Sequence, residues 1–117
     1  MKDVISTPRS PKAIGPYSQA IKANGFIIIS GQLPIDPVSG QLVEGDIALQ
    51  AEVALENLRA IVVAAGSSLA KAVKTTVYLK DLNYFAKVNP NLWEVFLFGS
   101  AGTFDGRGSR VTKGSVR

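Results

Sequence analysis

Ile14-Gly15-Pro16-Tyr17-Ser18-Gln19-Ala20, answered by Ile29-Ser30-Gly31-Gln32-Leu33, is the stretch whose reading decides the fold. Gly15-Pro16 makes a rigid corner, because the proline ring fixes its own φ and restricts the residue before it. Between the two segments, residues 17–23 and 26–30 flank Asn24-Gly25. That pair readily supplies the two positive φ angles of a type I′ hairpin turn. Two antiparallel neighbouring strands follow, with Tyr17 and Ser30 as candidates to share a cleft. Phe26-Ile27-Ile28-Ile29 is continuously apolar, which predicts a strand covered on both faces.

Outward from the hairpin, Pro34, Asp36-Pro37 and Ser39-Gly40 mark residues 32–45 as a loop with turns. Asp46 stands as the N-cap of a helix. Its stripe of Ala51, Ala54, Leu55, Leu58, Ile61, Val62 and Ala65 recurs at i, i+3, i+4, i+7, and Gly66 stops it. Residues 72–80 alternate Val73, Thr75, Val77 and Leu79 against Lys74, Thr76, Tyr78 and Lys80, a half-buried β-branched strand. A right-handed β-α-β crossover is implied. Asn89-Pro90 reads as N-cap and first turn of a second helix reaching about residue 98, with Leu92, Val95 and Phe96 inward and Gly99 closing it. The order β-β-α-β-α defines an α/β (α+β) sandwich that needs another strand to complete it. Residues 99–117 do not supply one: they hold five glycines and no alternation, a loop-like composition. The chain therefore divides into a domain over 1–98 and a Gly/Ser/Arg-rich tail over 99–117, the final strand missing.

At 117 residues, 46% hydrophobic and 19% charged, the chain makes one domain with an apolar bias. A domain of this size leaves roughly a third of its unfolded surface wet, a shortage that self-association relieves. The net charge of +4 sits mostly in the tail: residues 1–98 carry nine Lys/Arg against eight Asp/Glu, and residues 99–117 four against one. The body has no electrostatic case for nucleic acid, and the tail, with Asp105-Gly-Arg-Gly-Ser-Arg110 beside Phe104, has a weak one for RNA. With no cysteine and no histidine, thiol nucleophiles, imidazole bases and the usual zinc sites are excluded. No clustered carboxylate spacing supports a magnesium site, so no metal or cofactor is expected. Glu52 and Glu56, one helical turn apart, read as a solvated face. No run is long enough to span a membrane. The N-terminus lacks an apolar signal region and carries an early acid, so a cytoplasmic protein is expected, with the mitochondrion as the alternative.

The motifs of residues 14–20 and 29–33, joined by Asp36-Pro-Val-Ser-Gly-Gln-Leu42, resemble the reactive-intermediate deaminase family, also described as translation-inhibitor or heat-responsive perchloric-acid-soluble proteins. Glu56-Asn57-Leu58, Ala64-Ala65-Gly66, residues 73–81 and Phe85-Ala-Lys-Val-Asn89 extend the resemblance over residues 4–89. It implies a chorismate-mutase-like fold, a mixed sheet packed against two helices, and a homotrimer with clefts between subunits. The implied activity is cofactor-independent hydrolysis of enamines and imines such as 2-aminoacrylate to 2-oxo acids and ammonia. Within that resemblance Tyr17 would cover the substrate as the catalytic residue, while Ser30, Gly31 and Asn89 would bind it. The tail departs from the family pattern. Aligned without gaps from Asn89, the family's substrate-gripping arginine falls on Thr103, only Lys113-Gly114 survive, and the glutamate-bearing last strand would lie beyond Arg117. Neither Arg107 nor Arg110 has the motif's context. Activity is therefore expected to be impaired, and a shifted reading frame or alternative exon accounts for the loss of pattern. The alternatives are a non-catalytic family member and an RNA-binding or endoribonuclease-type translation inhibitor.

Overall fold

The computed structural model describes residues 2–97, with side chains through Pro90 and at Leu92, together with the backbone of residues 115–116. The expectations for Thr103, Arg107, Arg110, Lys113 and Gly114, and for the Val95 and Phe96 side chains, lie outside the described residues, whereas the expectation that residues 99–117 supply no strand is corrected: Ser115–Val116 form a two-residue strand that pairs with Thr76–Val77.

Asn24 and Gly25 take φ of 52° and 80°, so the chain turns as a type I′ hairpin between β2 (Ala20–Ala23) and β3 (Phe26–Ile29). Ala23 pairs with Phe26 and Ala20 with Ile29. Strand β1 (Lys2–Ile5) adds antiparallel on the other side of β2, with Val4 opposite Ile21, giving the order β1-β2-β3. The sequence reading had no place for β1, whose mostly exposed residues show no inward-outward alternation.

The pleat separates two faces. Ala20, buried to 1% exposure, and Ile29 face inward, and Ile29 packs against the core. Val4, Ile21, Ala23, Phe26 and Ile28 share the outward face through the pairs Val4–Ile21–Ile28 and Ala23–Phe26. Here the expectation of a strand covered on both faces is corrected: β3 is an edge strand of its sheet, and Phe26 and Ile28 are 57% and 65% exposed. The apolar run is continuous, but this chain's own described elements cover one side of it.

Helix α1 (Ile47–Ala64) begins where the Asp46 carboxylate accepts the Leu49 N–H at 2.8 Å. It ends in a Schellman motif: Gly66, at φ 81°, donates to the Val63 carbonyl and Ser67 to the Val62 carbonyl. Of the expected stripe, Leu55, Ile61, Val62 and Ala65 are buried, and Ala51 and Leu58 pack at the cluster's edge. That cluster, Leu55, Val62, Leu69, Val88 and Leu92, fills the space between α1, α2 (Phe85–Leu97) and the inner sheet face.

Two expectations need correction. The expected alternation holds from Thr75 to Lys80, with Thr75, Val77 and Leu79 inward, but Val73, expected inward, is 83% exposed, and only Thr76–Val77 form a strand, β4. A strand needs a partner as well as extended residues. None is described for residues 72–75, and β4 pairs in parallel with the two-residue β5 (Ser115–Val116) rather than with β3. The β-α-β crossover therefore does not close within one sheet among the described pairings. The second helix starts at Phe85, not Pro90. The Asp81 carboxylate caps a 3-10 turn, Leu82–Tyr84, by accepting the Asn83 N–H at 2.9 Å, and that turn runs directly into α2. Pro90 thus lies inside the helix and Asn89 is not its cap.

Candidate functional site

The corner before β2 is tighter than a strand. Tyr17 N–H donates to the Gly15 carbonyl at 2.8 Å, and the Tyr17 hydroxyl lies 3.5 Å from the Ile14 amide, at the outer limit of a hydrogen bond. A Cβ on Gly15 would sit 3.4 Å from the ring, so the tyrosine folds back over its own turn. Half of Tyr17 remains exposed. Strand pairing starts at Ala20, three residues later than the sequence suggested.

Just past β3, Ser30 N–H donates to the Gln19 carbonyl at 3.0 Å, and Ser30 Oγ donates to the Ser18 carbonyl at 2.6 Å. The two motifs are thereby stitched together one peptide away from Tyr17. Gly31 follows, exposed, with no atom within 4 Å of where a Cβ would stand. Asn89 lies half-buried inside α2, directly after Val88, which shares the core cluster with Ile29, the neighbour of Ser30. The structure thus joins the Tyr17 and Ser30 segments by hydrogen bonds and relates Asn89 to them through the core.

Sequence reasoning missed the amides that hold this arrangement. Gln19, 4% exposed, accepts the Thr7 N–H through Oε1 at 2.7 Å. Its Nε2 reaches the carbonyls of Thr7, Ser10 and Pro11 at 3.1, 3.2 and 2.8 Å. Gln32 links the buried Ser10 hydroxyl, at 3.1 Å, to the Ser30 carbonyl, also at 3.1 Å. Asn57, 3% exposed on α1, donates to the carbonyls of Leu33 and Ile35 at 3.0 and 2.8 Å. The available signal was polar amides set inside otherwise apolar motifs, since a buried amide requires partners.

A concavity of about 780 Å³ lies elsewhere, between the outer face of α1 and the loop before it, with Arg9, Glu52, Glu56 and Arg59 in its lining. None of Tyr17, Ser30, Gly31 or Asn89 lines it. Its ion pair, Arg59 to Glu56 at 3.7 Å, is half exposed and contributes little. Among the described residues no helix is long and apolar enough to cross a membrane.

An antiparallel sheet backed by two helices, with these motifs at the hairpin's open end, defines the class of fold. A family profile described as Endoribonuclease L-PSP matches residues 7–98, and the chain belongs to that family. A RutC family protein of Pyrococcus horikoshii is 57% identical over 96 residues, covering 82% of this chain and 76% of that protein. The 2-iminobutanoate/2-iminopropanoate deaminase of Salmonella typhimurium is 46% identical over 107 residues, covering 92% and 82%. The crystal structure of Escherichia coli TdcF with bound serine superposes with a TM-score of 0.80 at 37% identity, covering 97% of this chain and 81% of that one.

Proposed function

We propose that the chain descends from, and retains the cleft of, a hydrolase that deaminates reactive enamines and imines such as 2-aminoacrylate. The observation that carries this reading is the 2.6 Å bond from Ser30 Oγ to the Ser18 carbonyl, which ties the two cleft motifs together in a chain 46% identical to a named 2-iminobutanoate/2-iminopropanoate deaminase. The chemistry demands little of a protein. Once its nitrogen is protonated, the imine carbon is electrophilic: water adds to it, the resulting carbinolamine expels ammonia, and a 2-oxo acid remains. The enzyme has to hold the substrate, limit bulk water and place one water for attack. Tyr17, half exposed and folded over its turn, is the cover. Ser30, Gly31 and Asn89 line the pocket.

The cleft is completed by a second copy of the chain in a cytoplasmic homotrimer. The outward sheet face, with Val4, Phe26 and Ile28 each more than half exposed, supports that assembly. Activity is reduced because the family's arginine position falls on Thr103. Losing a bidentate charged clamp corresponds to about a 10- to 100-fold loss. The test generates 2-iminobutanoate from threonine with a dehydratase and traps it with semicarbazide. The full chain is expected to lower semicarbazone formation, less per subunit than the Salmonella relative; no effect at any protein concentration overturns the activity. The family's description as an endoribonuclease makes RNA cleavage the second reading, checked on labelled single-stranded RNA.

A further inference from the structure

We propose that the concavity beside α1 binds a short apolar peptide with free termini, at a site apart from the deaminase cleft. Its volume of about 780 Å³ lies within the range of small-ligand pockets, roughly 300–1,000 Å³. One wall is the side of α1 that carries Val53, Ala60 and Val63, spaced i, i+7 and i+10, with Val63 59% exposed. The other wall is the loop at Asp36, Pro37 and Val43, and it is pinned to the helix. Gln50 Nε2 donates to the Val43 carbonyl at 3.1 Å, and Asn57 Nδ2 to the carbonyls of Leu33 and Ile35 at 3.0 and 2.8 Å. A wall held in this way is formed before a ligand arrives, which lowers the ordering cost of binding.

Three groups of the lining have no partner among the described residues. Arg9 and Glu52 are exposed, and neither enters the local ion pair, which joins Arg59 to Glu56 at 3.7 Å. Asn57 is 3% exposed and has given both Nδ2 protons to carbonyls, so its orientation is fixed and Oδ1 is the acceptor left over. Asp36, the remaining charge, already accepts the Val38 and Ser39 N–H groups at 2.8 and 3.3 Å. One cation, one anion and one neutral acceptor thus stand over an apolar floor. A simple anion or cation matches one of the charges and leaves the other, and an apolar ligand matches neither. A peptide of apolar residues brings a carboxylate for Arg9, an ammonium for Glu52, an amide N–H for Asn57 Oδ1 and side chains for the valine floor. A free amino acid lacks the amide N–H and fills only a fraction of the space.

Calorimetric titration of the full chain with trileucine, its C-terminal amide and its N-acetyl form tests the assignment, because each blocked form lacks one terminal charge. Arg9→Gln is expected to weaken trileucine about threefold to fivefold and to leave the amide unchanged, since the amide has no carboxylate to lose. Glu52→Gln is expected to weaken trileucine by a similar factor and to spare the N-acetyl form. Val63→Lys, which places a charge in the apolar floor, removes binding of all three, and free leucine binds at least about tenfold more weakly than trileucine. Ser30→Ala leaves trileucine binding unaltered, which separates this site from the deaminase cleft. Thermal melts establish that each variant is folded. No binding of trileucine to the wild type at millimolar concentration, equal losses for free and blocked peptides in the two charge variants, free leucine binding as tightly as trileucine, or loss of trileucine binding in Ser30→Ala overturns the proposal. Imine turnover is read separately in the semicarbazide assay and stands or falls on its own.

Discussion

Gln19 sits one residue from the Ser18 carbonyl, and its side chain spans the sheet and the segment that precedes the Gly15-Pro16 corner. Its amide satisfies one N–H and three carbonyls, at Thr7, Ser10 and Pro11. Gln19→Leu keeps the volume and strands those groups, so a loss of about 2–3 kcal/mol is expected in urea unfolding, with the midpoint moving and the slope unchanged. Gly31 gives the opposite outcome. Its backbone is outside the left-handed region and its Cβ position is open, so nothing within the described chain demands a glycine. Gly31→Ala is expected to change stability by less than about 0.5 kcal/mol. The same methyl, intruding on substrate or on a neighbouring copy, lowers kcat/KM about tenfold in the trapping assay. A destabilised Gly31→Ala protein with normal turnover would mean the glycine serves the fold.

At the scale of elements, the hairpin and α1 were legible because their signals are local. Asn24-Gly25 sets its own dihedrals, and Asp46 and Gly66 cap from one turn away. The start of α2 was not legible. Asn89-Pro90 is a good helix beginning, but Asp81 and the turn at Leu82–Tyr84 begin the helical path earlier, and the packing of Val88 and Leu92 carries it through the proline. Moving Asn89 into the helix interior also removed capping as the account of that residue. In the candidate site, Tyr17 and Ser30 could be paired from the hairpin register. Gln19, Gln32 and Asn57 could not, because their partners lie as far as 12, 22 and 24 residues away. Pro90 yields a prediction at this scale. It lacks the N–H that would bond to the Ala86 carbonyl and crowds that carbonyl, so Pro90→Ala is expected to stabilise the protein by about 1–3 kcal/mol, seen as a raised thermal midpoint. Lower stability would show that the proline's fixed φ is needed to set the direction of α2.

For the molecule as a whole, the question is what covers the outward face of the sheet. Val4, Phe26 and Ile28 lie 62%, 57% and 65% exposed, with Ile21 and Ala23 between them, on the side away from both helices. A contiguous apolar sheet face is costly in water, and the described elements offer no cover for it. Light scattering of the wild type is expected to return three chain masses. Ile28 is central in its register, opposite Ile21, and a lysine there places a charge in the middle of the outward apolar face that the proposed assembly would cover. Ile28→Lys is expected to weaken assembly by more than about 100-fold, giving monomer at micromolar concentration, and to abolish turnover while Tyr17 and Ser30 keep their local bonds. Glu56→Lys makes a charge change of the same sign in the exposed part of α1 and is expected to leave the mass unaltered. A wild type that runs as a monomer would remove the partner copy from the cleft, and Ile28→Lys that stays trimeric would place the contact on some other face.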